Sequence, residues 1–232
     1  MRGVFVTGTG TEVGKTVVAA VIARTLTTDG ESVSVFKPAV TGLDDLFEAD
    51  HELLRRAAGS DQSDEEIAPY RYGPPASPHL AAAMADEKID PRRLLAGARA
   101  AAASADALVC EGVGGLLVPL SWRVPRPIAE ELARPYLIRD LAVDLGLPLV
   151  VAASPGLGTI NHTLLTLEAA RGAGLDVEYV VLTPWPDAPT AVEESNRETI
   201  AALGEVRVET LPPLDPADPR SWPRLPAPRR RD

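Results

Sequence analysis

Lys15, Thr16 and Lys37 set the chemistry this chain can attempt. Gly14-Lys15-Thr16 stands between an apolar segment, Val4-Phe5-Val6-Thr7, and a run at about 15–28 with Val18, Val21, Ile22 and Leu26 near one face. A strand, a glycine turn and a helix in that order aim backbone N–H groups at an anion. A lysine there bridges the β- and γ-phosphates of a nucleoside triphosphate, and the next hydroxyl binds Mg2+. The usual first glycine of such a loop would fall at Thr9; Gly8 comes one residue earlier and leaves a five-residue spacer. A glycine-rich turn that binds nothing is the plain alternative, and the order of the elements counts against it. Lysine usage points the same way. Only Lys15, Lys37 and Lys88 are lysines among 23 basic residues; the other 20 are arginine. A GC-rich genome accounts for such a skew, yet two of the three lysines stand at Gly/Pro-rich turns, where a compact amine can follow a moving phosphate as a rigid guanidinium cannot.

A phosphate loop needs carboxylates to complete its metal site. Ala107-Leu108-Val109-Cys110 is strand-like and runs into Glu111, followed by Gly112-Val113-Gly114-Gly115. Glu111 is thereby expected at the carboxyl edge of the sheet, where ligands bind in such folds, and the glycines let backbone amides approach an anion closely. Asp50, ahead of a helix, is the second candidate; Asp44, Asp45 and Glu48 compete with it, and a solvated acidic face is the default for all four. Lys37-Pro38-Ala39-Val40-Thr41-Gly42 leaves the second strand at the same edge, giving Lys37 a path to the γ-phosphate. Without the phosphate loop, Lys37 would read as an exposed strand-end lysine.

The elements that must hold these groups alternate along the chain. Strands are expected at Val33–Phe36, Ala107–Cys110, Leu147–Ala153, Val177–Leu182 and 206–210, with helices near 44–58, 91–105, 137–145, 161–173 and 189–203. The unbroken apolar run Leu147–Ala153 implies burial on both faces. Strands separated by helices mean βαβ units: an α/β fold with one doubly wound, mostly parallel sheet and helices on both faces, of P-loop NTPase type, spanning 1–211. Residues 212–232 hold seven of the 22 prolines and end in Arg229-Arg230-Arg231-Asp232. That tail is expected to bury little surface, with an ordered start followed by disorder.

Length and composition exclude several classes. The chain has 232 residues, 45% hydrophobic and 24% charged, ordinary globular usage. No apolar run approaches the roughly 18 residues of a membrane span, and the N-terminus lacks a cleavage pattern. One cysteine, Cys110, forms neither an internal disulfide nor a cysteine zinc cage, which suits a reducing cytosol. A net charge of −10 argues against broad nucleic-acid binding.

Together these pieces resemble the dethiobiotin synthetase family. The resemblance rests on Thr7-Gly8-Thr9-Gly10-Thr11-Glu12-Val13-Gly14-Lys15-Thr16, on Lys37-Pro38 with Thr41-Gly42, on Glu111 to Gly115, and on Gly156-Leu157-Gly158-Thr159-Ile160-Asn161-His162-Thr163-Leu164-Leu165-Thr166. These blocks occur in order from residue 3 to about 213, and the displaced glycine is this family's own form of the loop. The resemblance implies ring closure of 7,8-diaminopelargonate with CO2 or bicarbonate, through a carbamate that a nucleoside triphosphate phosphorylates. It implies a nucleotide site at Glu12, Val13, Gly14, Lys15, Thr16, Val17, Asp50, Glu111, Gly112, Val113 and Gly114, with the base beside Thr183, Pro184, Leu211, Pro212 and Pro213. It implies Mg2+ at Thr16, Asp50 and Glu111, Lys37 and Lys15 as catalytic cations, and substrate contacts from Thr11, Thr41, Gly114, Gly115 and Asn161. The Asn161 block would come from the second subunit of a cytoplasmic homodimer.

Three features depart from the family pattern. Thr183-Pro184 stands where an adenine-reading Asn is common, which leaves ATP, CTP or another triphosphate open as co-substrate. Residues Trp122–Arg134 are longer and richer in Pro and Arg, read as a surface excursion over a lid, and the Pro-rich tail runs past Pro213. His79 and His162 read as residues near helix starts, and Cys110 as a buried thiol. Three rival readings share the loop. A partition-type ATPase switch lacks its early signature lysine here, an amidoligase lacks its glutaminase domain, and a degenerate nucleotide-binding module would not keep Lys15, Thr16, Lys37 and Glu111 intact.

Overall fold

The computed structural model describes residues 2–45, 49–122 and 134–228. Six parallel strands form the sheet: β1 (Gly3–Gly8), β2 (Val33–Phe36), β3 (Ala107–Gly115), β6 (Leu149–Ala153), β7 (Val177–Leu182) and β8 (Val208–Thr210). Their spatial order is β2-β3-β1-β6-β7-β8. The chain leaves β1 for the sheet edge at β2, returns to β3 beside β1, and only then crosses to β6 on the other side. The topology therefore switches at β1, and a crevice opens beyond its carboxyl end. A small antiparallel pair, β4 (Pro119–Ser121) with β5 (Tyr136–Leu137), joins the flanks of the segment 123–133, which lies outside the described residues, as does most of the proposed excursion.

Period-2 alternation assigns the strand side chains to two faces. Val4, Val6, Val33, Val35, Val109 and Val150 pack with α1 (Lys15–Thr28) and α2 (Asp50–Ala58). Phe5, Phe36, Leu108 and Cys110 face α5 (Pro91–Ala103) and α6 (Ile138–Leu145), while Val151, Ala153, Val180 and Leu182 face α7 (Thr159–Arg171) and α8 (Ala191–Gly204). Residues 149–153 are buried throughout, as the unbroken apolar run requires. Among the described residues no helix is long and apolar enough to cross a membrane.

Local departures from expectation have simple causes. The helix expected over 44–58 is a 3-10 turn at Leu43–Asp45 followed by α2, which begins at Asp50 because the Glu52 carboxylate accepts the Ala49 N–H at 2.9 Å. Two short helices lie between α2 and α5: α3 (Asp64–Ile67) has no counterpart in the expected pattern, and α4 (Pro78–Met84) starts beside His79, where a helix entry is expected. The first is a single turn set by the Ser63–Glu66 capping box.

The tail is the larger correction. Trp222 and Leu225 are buried in the same cluster as α1 and β7, and Leu214 packs against it. Tyr179 donates its hydroxyl to the Pro226 carbonyl at 2.8 Å, Trp222 Nε1 donates to Asp215 O at 2.8 Å, and Arg224 pairs with Asp29, the C-cap of α1. Through residue 228 the segment covers apolar surface without forming a helix or strand, since its prolines disfavour both but leave the intervening Trp and Leu free to dock. Arg229 to Asp232 lie outside the described residues. Trp222→Ala is expected to lower the unfolding free energy by about 3 kcal/mol in urea titration; a change below about 0.5 kcal/mol, the usual range for a surface substitution, would show that the tail contributes nothing.

Candidate active site

The phosphate loop is built from β1 outward. Gly14 caps α1 at φ 82°, a left-handed conformation that favours glycine, and a Cβ there would lie 2.5 Å from the Thr183 methyl. Gly8 is required by proximity: a Cβ would come within 2.6 Å of Val13 and 2.9 Å of the Lys15 stem. The displaced glycine thus lets the Lys15 side chain lie flat across the end of β1. Lys15 Nζ donates to the Gly10 carbonyl at 2.7 Å, so the lysine curls over its own loop. Glu12, a non-glycine residue at φ 59°, is a strained position held within the same loop.

Register then delivers the carboxylates. β2 pairs β3 at Val35↔Val109 and Phe36↔Cys110, and β1 pairs β3 at Val4↔Val109 and Val6↔Glu111. Continuing the alternation, Lys37 and Glu111 leave neighbouring strands on the α1 face. Lys37 Nζ lies 2.6 Å from Glu111 Oε1 and 2.7 Å from Asp50 Oδ2. The Thr16 hydroxyl meets both carboxylates, at 2.9 Å from Glu111 Oε1 and 3.0 Å from Asp50 Oδ1. Lys37 is 3% exposed and Glu111 0%, whereas Asp50 keeps 39% of its side chain open toward the crevice.

Burial and charge act against each other here. Burial pulls the Lys37 ammonium down, but Glu111 and Asp50 more than reverse it and hold the group above the ordinary lysine value. Burial likewise would raise Asp50, yet Lys37 and the Thr16 hydroxyl keep it below the ordinary aspartate value. For Glu111 burial wins and lifts the carboxyl, with Lys37 recovering only part. Lys15 is lowered by burial, with Glu111 and Asp50 opposing and Lys37 adding repulsion. Glu111 Oε2 is buried and meets no protein donor. A buried carboxylate oxygen without a partner costs on the order of 1–3 kcal/mol. An all-oxygen set of one hydroxyl and two carboxylates around such an atom fits a hard divalent cation.

The cavity over this cluster has a volume of about 960 Å3. Thr11, Glu12 and Gly14 line it from the loop, Lys15, Thr16 and Val17 from the first turn of α1, Lys37 and Thr41 from the segment after β2, Asp50 from α2, and Glu111, Val113 and Gly114 from β3. Pro75, Ala76, Pro78 and Val118 give it an apolar wall. Gly112 lies beneath, where a Cβ would press on Ile138 and Phe5, and Val13 and Gly115 adjoin the lining without forming it. Thr183 touches Gly14, and Trp185 N–H donates to the Leu211 carbonyl at 2.8 Å, so Thr183-Pro184 and Leu211-Pro212-Pro213 meet beside the loop. Asn161 is not brought to this cavity; it is exposed on the first turn of α7. Cys110 is buried with its thiol pushed up by burial, His79 sits at the start of α4 against Trp122, and His162 is exposed on α7.

One positioning residue carried no sequence signal. Gln62 pairs with the free edge of β2, accepting from Val35 N–H at 2.8 Å and donating to Val35 O at 3.1 Å. Two residues on, Lys37 N–H donates to the Ile67 carbonyl at 2.8 Å. The strand end that carries Lys37 is therefore clamped from outside the sheet.

Comparison with known proteins agrees with this geometry. The model of the AAA domain family AAA_26 matches residues 2–220. An ATP-dependent dethiobiotin synthetase BioD of Anaeromyxobacter dehalogenans is 43% identical over 182 residues, 78% of this chain and 76% of that protein. The protein of the same name from Bacillus subtilis is 32% identical over 214 residues, 92% and 87% of the two chains. Among solved structures, the septum site-determining protein MinD of Pyrococcus horikoshii, complexed with Mg-ADP, superposes with a TM-score of 0.51 at 15% identity, covering 91% of this chain and 81% of that one. That likeness is one of fold alone. A phosphate loop, two convergent carboxylates and a buried lysine on a parallel sheet, with relatives of this similarity over most of the chain, establish that the chain belongs to the ATP-dependent dethiobiotin synthetase family of P-loop α/β proteins.

Proposed function

We propose that this chain closes the ureido ring of dethiobiotin from 7,8-diaminopelargonate, CO2 and a nucleoside triphosphate. The observation that carries the proposal is the Lys37 ammonium, fixed by Glu111 and Asp50 at the floor of a cavity whose rim is the phosphate loop. One substrate amine adds to CO2 and releases a proton, giving a carbamate. A carbamate oxygen attacks the γ-phosphorus and the nucleoside diphosphate leaves, forming a carbamic-phosphoric anhydride. The second amine attacks the carbonyl carbon, loses its proton, and phosphate departs as the ring closes. Carbamate and γ-phosphate are both anions that repel each other, so the protein must supply positive charge between them. Lys15 on the phosphate side and Lys37 on the carbamate side do this. Thr16, Asp50 and Glu111 would hold Mg2+, whose charge would offset that on the phosphate oxygens.

Thr11 and Thr41 orient the substrate against the apolar wall of the cavity, and the Gly114-Gly115 amides share in the grip on its carboxylate. Asn161 grips the distal carboxylate of a substrate bound in the other subunit of a homodimer. Its exposure supports this, as does Leu157, an apolar residue 97% exposed four residues after the buried end of β6. Thr183-Pro184 with Leu211-Pro212-Pro213 flanks the base, and because Thr183 has no carboxamide to pair bidentately with an adenine edge, the site leaves CTP or another triphosphate open beside ATP as co-substrate. We place the reaction in the cytosol, where the single thiol suits a reducing medium.

Phosphate release measured with 7,8-diaminopelargonate, bicarbonate and Mg2+, in parallel with ATP, CTP and GTP, tests the proposal. Release that requires the diamine is expected, with a spread among nucleotides of less than about tenfold; diamine-independent release, or none, overturns it. In the same assay Lys37→Ala is expected to lose at least about a hundredfold in turnover while nucleotide affinity, read by calorimetry, stays within about tenfold. Near-wild-type turnover would remove Lys37 from the mechanism. Asp50→Asn is expected to raise the Mg2+ concentration for half-maximal rate by about tenfold or more, and a larger effect from Asp44→Asn would shift the metal site to the preceding turn.

A further inference from the structure

Asn196 lies outside the cavity, yet it is 6% exposed and polar on a helix face that is otherwise apolar. It shares the inner stripe of α8 with Ile200 and Gly204 at four-residue spacing. That stripe presses on α7: Ile200 packs in one cluster with Leu167, and a Cβ on Gly204 would lie 2.8 Å from Leu167 Cδ1. A leucine would serve such packing better than an amide, because a buried amide costs free energy unless its hydrogen-bonding groups are engaged. Asn196 engages them on the chain between β6 and α7. Its Nδ2 donates to the Pro155 carbonyl at 2.9 Å and to the Gly156 carbonyl at 3.1 Å. Two carbonyl acceptors require the NH2 end of the side chain, so the orientation of the amide is fixed by its partners. Immediately beyond, Gly158 caps α7 at φ 90°, and Asn161 stands in the first turn. The turn from strand to helix is thus tied to α8 at one residue.

We infer that Asn196 is a positioning residue for the substrate: it holds the Pro155–Gly158 turn in the conformation from which α7 presents Asn161. This rests on the reading of Asn161 as the grip on the substrate carboxylate. A side chain that acts only through the carboxylate grip changes recognition of the tail of the substrate and leaves the phosphate chemistry alone.

The test compares the wild-type chain with Asn196→Asp, which keeps the shape but loses both donors, and with Asn196→Ala, which adds no charge and serves if the first variant does not fold. Each is assayed by phosphate release with 7,8-diaminopelargonate and with a vicinal diamine of the same chain length lacking the carboxylate. For the carboxylated diamine, KM is expected to rise about tenfold or more, with kcat within about twofold and the nucleotide KM unchanged. For the carboxylate-free diamine, wild type and variants are expected to show the same kcat/KM. An equal loss with both diamines, a matching rise in the nucleotide KM, or an unchanged KM for the carboxylated substrate overturns the inference. If Asn161→Ala raises that KM while the Asn196 variants do not, the carboxylate grip stands and Asn196 has no part in it. Wild-type turnover that ignores the diamine overturns the underlying reading as well.

Discussion

A single ammonium shared by two carboxylates is the constraint on which the site depends. Glu111 has no solvent exposure, and Lys37 almost none. Neither charge would be tolerated alone at that depth, because desolvating an ion costs several kcal/mol unless geometry and hydrogen bonds repay it. The sheet supplies that geometry. Parallel pairing of β2 with β3 keeps Val35 beside Val109 and brings the next same-face residues, Lys37 and Glu111, to one edge. α1 adds Thr16 from above and α2 adds Asp50 from the flank. The pairs Val35–Val109 and Val33–Ala107 lower in the same stripe make the contact surface that allows this polar group to be buried at all. A hydrophobic substitute would pack as well and carry no chemistry, so the cluster is a cost that function retains.

Much of this was legible in the chain because it is local or periodic. Period-2 alternation in Ala107–Glu111 and Val33–Lys37 already puts Glu111 and Lys37 on the face of the phosphate loop, once the strands are parallel and adjacent. The loop itself is a contiguous signal, and its early glycine acquires a reason in the Lys15 stem that lies over Gly8. Asp50 could be separated from its acidic neighbours only by where α2 begins, which a capping carboxylate at Glu52 decides. Other parts had no local mark. Gln62 and Asn196 are ordinary polar residues in sequence; each matters because a segment distant in the chain leaves carbonyls and N–H groups that a side-chain amide can satisfy. The tail misled for a related reason. Composition reads its prolines as unable to build a core, while Trp222 and Leu225 need only dock onto a core that others have built.

The two ends of the proposed chemistry are held by different means. At the phosphate end, positions come from strands and from the first turn of α1, the most rigid elements available. At the substrate-tail end they come from the turn between β6 and α7, steadied by α8. α8 also reaches the base side, where the Arg197 guanidinium lies 5.8 Å from the Trp185 ring centroid, just past Thr183-Pro184. One helix therefore braces both the proposed tail grip and the proposed base flank, while the sheet holds the Lys37–Glu111–Asp50 cluster between them.

A double-mutant cycle across Lys37 and Glu111 tests the central claim most directly. Unfolding free energies from urea titration are compared for the wild type, Lys37→Met, Glu111→Gln and the double variant. Lys37→Met is predicted to cost about 3 kcal/mol, because Glu111 is left buried without its partner, and the double variant to cost less than the sum of the singles by about 1.5–3 kcal/mol. Costs that add to within about 0.5 kcal/mol would contradict the account, since Lys37 and Glu111 would then be neighbours that do not hold each other in place.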